Sequence, residues 1–214
     1  MNKKTKYILP AVSFLLFIIL IVLLKTVSVE KTGVGNTSIG LYGLNAAVKE
    51  FIGMNFTWYK ITEITGVIAL AAAGIFALLG IIELIKRKSL LKVDSEILTL
   101  GGLYILTASL YFFFENFVVN YRPYIEKGAA AVEPSFPSSH TVLALVIFGS
   151  IFMLLSKYVK SKPLLYTIKA LCAALAVITV VGRFLSGVHW FTDILGGIIL
   201  SVCLLSFFAA FIKE

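Results

Sequence analysis

The chain has 214 residues, 59% of them hydrophobic and only 14% charged, with a mean hydropathy of +0.99. Soluble domains carry about 25% charged and about 45–50% apolar residues, so this composition excludes a soluble globular protein and belongs to one embedded in a bilayer. The formal net charge of +8 does not point to nucleic acid, because the basic residues form short clusters between apolar runs rather than a stripe interleaved with aromatics.

Lys3, Lys4 and Lys6 open the chain, and the first apolar run follows at about residues 7–24. It is longer than the apolar region of a secretory signal, and "LLKTVSVE" offers no small-x-small cleavage site, so a retained anchor is expected. The stretch from 25 to 60 is too polar to span. Within it, "LYGLNAAVKEFI" puts Leu41, Leu44, Val48, Phe51 and Ile52 near one helical face, which predicts a helix lying at the outer surface with Trp58 and Tyr59 as interfacial anchors. A plain connecting loop is the simpler alternative.

Five further runs lie at about 61–85, 96–118, 141–157, 164–182 and 194–212. A helix needs about 20 apolar residues to cross a hydrocarbon core, with about 17 as the lower bound. The runs are continuous rather than alternating, so helices must satisfy the backbone. The fold class expected is therefore all-α, an integral membrane bundle of six transmembrane helices. Cys172 and Cys203 fall inside apolar runs without metal-ligand spacing and read as small buried hydrophobes. With six alternating spans, the amino-terminal lysines, "KRKSLLK", "KYVKSKP" and Lys213 share one side, which holds most of the basic residues. That asymmetry predicts both termini in the cytoplasm.

Three polar stretches then meet at the outer side. "NYRPY" carries Arg122 and Pro123 after the third span. "PSFPSSHT" carries Ser138, Ser139 and His140 before the fourth. "VGRFLSGVHWFTD" carries Arg183, His189 and Asp193 between the fifth and sixth. Both histidines of the chain lie in these stretches. Ionisable groups beside hydrocarbon are costly, so such a cluster is a hypothesis of function by default. Taken singly, each has an ordinary explanation: a juxtamembrane charge, an interfacial histidine, an i,i+4 hydrogen bond between His189 and Asp193. Together, two arginines, two histidines, an aspartate and paired serines suit phosphoryl transfer. Guanidinium forks and helix-start N–H groups grip phosphate oxygens. One histidine oriented by a carboxylate can attack phosphorus, while a second protonates the departing oxygen. There is no acidic cluster on this side to hold magnesium, so neither metal nor cofactor is expected.

"RPY…PSSH…GRFLSGVHWFTD" resembles the type 2 phosphatidic acid phosphatase (PAP2) family, the membrane branch of a superfamily that also holds vanadium haloperoxidases. The family pattern is a lysine seven residues before Arg-Pro, then Pro-Ser-Gly-His, then Ser-Arg, five residues, His, three residues, Asp. Arg122-Pro123, Pro137-Ser138, His140, Arg183, His189 and Asp193 match it, with both internal spacings of the last motif intact. The resemblance implies His189 as nucleophile, Asp193 as its orienting acid and His140 as general acid. Arg122, Arg183, Ser138 and the Ser139 N–H would hold the phosphate. It also implies a division into an amino-terminal anchor and outer interfacial segment, 1–60, and a PAP2-like transmembrane catalytic domain, 61–214.

Three positions depart from the pattern. Ser139 replaces a glycine and Gly182 a serine, both small-for-small exchanges. Glu115 stands where the family has its lysine, a reversal of charge. Two compensations fit the sequence: Glu115 bracing Arg122 from two turns away, or Lys127 supplying the missing cation. The function expected is a membrane lipid phosphate phosphatase acting at the outer face through a phosphohistidine. Its substrate would be phosphatidic acid, phosphatidylglycerophosphate or a polyprenyl diphosphate such as undecaprenyl diphosphate. The alternative is a catalytically degenerate relative that binds or carries lipid phosphates, and an ordinary structural membrane protein is the third reading. Gly196 and Gly197, early in the last span, are expected to let helices approach closely.

Overall fold

The computed structural model describes residues 5–31, 35–126 and 128–212. Lys3, Lys4, Lys127 and Lys213, on which part of the topology and of the Glu115 compensation was argued, lie outside the described residues.

Among the described residues, seven α-helices account for the fold: α1 (Ile8–Thr26), α2 (Tyr42–Ile52), α3 (Phe56–Arg87), α4 (Ser95–Asn116), α5 (Ser139–Tyr158), α6 (Lys162–Ser186) and α7 (Phe191–Phe211). All but α2 are long and apolar enough to cross a membrane, so the chain is an all-α bundle with six transmembrane helices. A two-residue antiparallel pair, β1 (Glu30–Lys31) and β2 (Ser38–Ile39), joins α1 to α2 with Glu30 opposite Ile39.

The helices outrun the apolar runs because a helix end is decided by caps rather than hydropathy. α3 begins at Phe56, where the Asn55 side chain accepts the N–H groups of Thr57 and Trp58. α6 runs past Arg183 to Ser186 and stops at Gly187, whose φ of +66° is left-handed. α7 starts early enough to put Asp193 in its first turn, where the carboxylate accepts the Trp190 N–H.

α5 sits at the centre and packs against α3, α4, α6 and α7, while α1 lies along α7. One core cluster fills the space among α1, α4, α5 and α7. Its middle is a three-ring contact of Phe17, Phe114 and Phe136, with centroids 5.7 to 6.0 Å apart. A second cluster joins α3, α5 and α6 around Ala69, Ile147, Phe148, Ile151 and Cys172. Cys172 is thus a buried hydrophobe, and Cys203, half-buried, touches the Pro10 carbonyl. The outward faces of α1, α3, α4 and α6 expose Leu, Ile, Val and Phe, as a lipid-facing surface requires. At the end far from the polar stretches, the Lys157 ammonium lies 2.7 Å from both Asp94 and Glu96 and ties α5 to the start of α4.

A helix does form over the predicted stretch, as α2. Leu44 and Phe51 are exposed, whereas Asn45 and Lys49, one turn apart, face inward. The predicted glycine contacts are also present. A Cβ on Gly196 would collide with the Phe136 ring, and one on Gly197 would sit 3.0 Å from Thr141. The Gly182 exchange is not as innocent as its size suggests. A Cβ there would lie 2.6 Å from the Thr62 methyl and 3.1 Å from the Trp58 ring, so the missing side chain lets α3 and α6 meet.

Candidate active site

The loop between α6 and α7 carries His189, and its geometry is fixed from three directions. Asp193, fully buried, accepts the Trp190 N–H at 2.9 Å on one carboxylate oxygen and the Asn120 side-chain amide at 3.3 Å on the other. The Nδ1 of His189 stands 3.7 Å from the first of these oxygens, a charge contact longer than a hydrogen bond. Asn120 in turn accepts the Gly40 N–H. Asn45, also fully buried, donates to the Gly40 carbonyl and the Thr192 hydroxyl and accepts the Thr192 N–H, pinning the first turn of α7. Lys49 donates to the carbonyl of Gly187 at 2.5 Å and of Gly53 at 3.3 Å, and burial pulls its ammonium down to about 8. The segment that follows β2, from Gly40 to Gly53, and Asn120 therefore hold the histidine loop.

His189 is buried, and neither ring nitrogen has a hydrogen-bond partner among the described residues. Burial first, and then the charges of Arg122 and Arg183, hold its pKa below the ordinary histidine value, against the pull of Asp193. The imidazole is therefore neutral at physiological pH and fit to act as a nucleophile.

His140 lies in the first turn of α5 against α3. Gly66 makes the berth, since a Cβ there would lie 2.9 Å from the imidazole Cδ2. The Nε2 of His140 is 3.2 Å from Oε1 of Glu63 on α3, and the same oxygen lies 2.5 Å from Nη2 of Arg183. Arg183 is fully buried, with its guanidinium 5.1 Å from the Tyr59 ring centroid. Its Nε and Nη1 have no hydrogen-bond partner among the described residues. Tyr59, expected as an interfacial anchor, instead lies under Arg183 and donates to Glu126.

Arg122 follows α4 in a loop closed by a bridge between Tyr121 and Pro134. Its guanidinium is 3.3 Å from Glu133 and 3.9 Å from Glu126, and its Nε and Nη1 lack hydrogen-bond partners among the described residues. Burial opposes its charge, but these carboxylates outweigh that and raise its pKa. Glu115 does not brace Arg122: the ion-pair partners are Glu133 and Glu126, because the chain turns away from the helix axis after Asn116.

A cavity of about 680 Å³ joins these groups. Glu63, Glu115, Arg122, Glu133, Ser139, His140 and His189 line its polar part; Val67, Leu70, Tyr104, Leu110 and Phe112 line the apolar groove between α3 and α4. Ser139, at the start of α5, reaches this wall. Ser138 lies behind it, fully buried, accepting the Thr141 hydroxyl while its N–H donates to the Asp193 carbonyl. The fold thus brings together Arg122, His140, Arg183, His189, Asp193 and Ser139, with Ser138 as a strut at their back. Sequence reasoning missed Glu63, Asn45, Asn120 and Lys49. Only Glu63 left a signal, an ionisable residue inside an apolar run.

A family model described as the PAP2 superfamily matches residues 96–214. Among solved structures, the fold is similar to the crystal structure of a transmembrane PAP2 type phosphatidylglycerolphosphate phosphatase from Bacillus subtilis. The TM-score is 0.67 at 21% identity, over 97% of this chain and 98% of that one. No curated protein matches the sequence.

Proposed function

The chain belongs to the PAP2 superfamily, and on that premise we propose that it is a membrane lipid phosphate phosphatase that works through a phosphohistidine. The observation that carries the reading is one cavity whose polar end gathers two imidazoles and a guanidinium and whose remainder is an apolar groove. A lipid phosphate has that same division.

In the proposed reaction, Nε2 of His189 attacks phosphorus while Asp193 orients the ring through Nδ1 and stabilises the charge that develops on it. The N–H groups of Arg122 and Arg183 that have no partner among the described residues, and the first N–H groups of α5, including that of Ser139, hold the phosphoryl oxygens. The family resemblance implies Ser138 as a phosphate ligand. Its position favours a supporting role, with its N–H tying α5 to α7. His140 gives its proton to the departing oxygen, then takes one from the water that releases phosphate from His189. No step needs a metal ion.

Residues 61–214 would carry the catalysis and 1–60 the anchor and outer segment. Both termini would face the cytoplasm and the site the outer surface, as the lysine distribution favours. Phosphatidic acid, phosphatidylglycerophosphate and undecaprenyl diphosphate fit the cavity's chemistry equally. The test is phosphate release from these three substrates in detergent with a chelator present. Wild type should turn over at least one of them, and His189→Ala none; turnover surviving in His189→Ala would refute the assigned nucleophile. A second reading, a lipid phosphate binder without turnover, is favoured by the acidic Glu115 in the cavity wall. Saturable binding of a substrate with no release by the wild type would establish it.

A further inference from the structure

We propose that Glu63 is a positioning residue for the acid step, holding His140 and stabilising its protonated form; this rests on the phosphatase reading. Glu63 occupies the second turn of α3, one turn before Gly66, so carboxylate and berth lie on one face against α5. A carboxylate at this place in an apolar helix is costly unless its partners use it. It has two, and both reach the same oxygen: the His140 Nε2 at 3.2 Å and the Arg183 Nη2 at 2.5 Å.

Electrostatics separates this role from that of an internal stand-in for phosphate. A stand-in would take up the guanidinium, yet Glu63 uses Nη2 alone, and Nε and Nη1 of Arg183 stay without a hydrogen-bond partner among the described residues. Glu63 and Arg183 also cancel as a pair, so the carboxylate adds little net repulsion toward an incoming phosphate. His140 feels the carboxylate directly. The other charged or titratable groups around the imidazole are Arg183 from α6, His189 from the following loop and Arg122 from the loop before α5. All three are cationic or can become so; Glu115 and Glu133 share the cavity wall, but Glu63 is the carboxylate in ion-pair contact with the ring and so the one that most favours an imidazolium there.

The step balances without a further reactant. As the bond from His189 Nε2 to phosphorus forms and the ester P–O bond breaks, the His140 proton moves to the departing oxygen. Water then adds to phosphorus, the P–N bond breaks, and the water's proton returns to His140. Its positive charge again faces Glu63.

A leaving-group comparison tests this, because an acid matters only when the departing oxygen is a poor leaving group. Wild type, Glu63→Gln, His140→Ala and the double variant are assayed on dioctanoyl phosphatidic acid, an alkyl ester, and on 4-nitrophenyl phosphate, whose phenolate leaves unaided. Glu63→Gln should lower kcat on the alkyl ester about 100-fold and on the aryl ester less than about 5-fold, with KM nearly unchanged. The double variant should be no worse than His140→Ala. If Glu63→Gln does not yield folded protein, Glu63→Asp carries the test, with a smaller loss confined to the alkyl ester. Equal losses on both esters, additive losses in the double variant, or a lower KM with kcat retained would overturn the role. If the wild type does not cleave phosphatidic acid, phosphatidylglycerophosphate, also an alkyl ester, takes its place; if it cleaves none of these esters nor undecaprenyl diphosphate, the phosphatase reading falls and this assignment falls with it. Wild-type turnover with equal losses overturns only the assignment.

Discussion

One oxygen of Asp193 serves two neighbours: it accepts the Trp190 N–H at 2.9 Å and faces Nδ1 of His189 at 3.7 Å. The other oxygen accepts from Asn120, so the carboxylate cannot turn without losing a donor. Its place in the first turn of α7 also favours the anion through the helix dipole. In Asp193→Asn, an amide N–H must oppose either the Trp190 N–H or the Asn120 amide, and the orienting charge is gone. That variant should lose about 10³-fold or more in kcat, by analogy with other orienting acids. Quench-flow trapping of phosphoenzyme should show the loss in its formation rather than its hydrolysis.

Asn45→Ala tests the strut between α2 and α7. The substitution strands the Thr192 N–H and the Gly40 carbonyl, both deeply placed. An unsatisfied buried group costs about 1–3 kcal/mol, so the melting temperature in detergent should fall by about 5–10 °C. A decrease of less than 2 °C would mean that the polar bridge contributes little.

Gly182→Ser restores the serine of the family pattern, yet it should be harmful. The added Cβ meets Thr62 and Trp58, and α3 must move from α6 at the residue beside Arg183. Overpacking of this kind costs about 1–3 kcal/mol. Reduced thermal stability together with weaker substrate binding is the expected pair of results, read from a melting curve and KM.

The apolar runs disclosed six spans because immersion in lipid is a property of composition, and the ionisable residues between them stood out against that background. The Gly182 contact and the Asn45 and Asn120 bridges were not legible. Their partners lie up to 147 residues away, and an asparagine in a polar stretch looks like any loop residue. Glu63 lies two residues inside a predicted span, where one charge near the end of an apolar run does not stand out. The helix begins earlier, at Phe56, which turns that edge into the wall of the cavity.

The neutrality of His189 predicts how stability depends on pH. Burial lowers its pKa in the folded state, whereas an unfolded histidine titrates near about 6.5. The unfolded chain therefore takes up the proton first. The stability due to the neutral ring is complete above about 6.5 and is lost progressively as pH falls below it. Wild type should lose more melting temperature than His189→Gln between about pH 7 and pH 5, and parallel curves would refute the assignment.

Glu115→Lys adds two units of positive charge to the wall shared with Arg122. For an exposed position the gain is modest, so KM for a lipid phosphate should fall about 2–5-fold at low ionic strength and less at high salt. No change, or a rise, would mean that the phosphate binds beyond its reach.

The pairing of α1 with α7, and the grip of Asn45 on Thr192, give the chain an order of assembly. During synthesis Arg122, Arg183, His140 and α2 are made before the last hydrophobic hairpin is complete. Until α7 joins them, Asn45 lacks its Thr192 partner and the Ser138 N–H lacks the Asp193 carbonyl. A nascent protein short of that helix keeps the Lys49 grip on Gly187 but lacks the contacts through Thr192 and Asp193. Under the proposed function, turnover would wait on the insertion of that last helix.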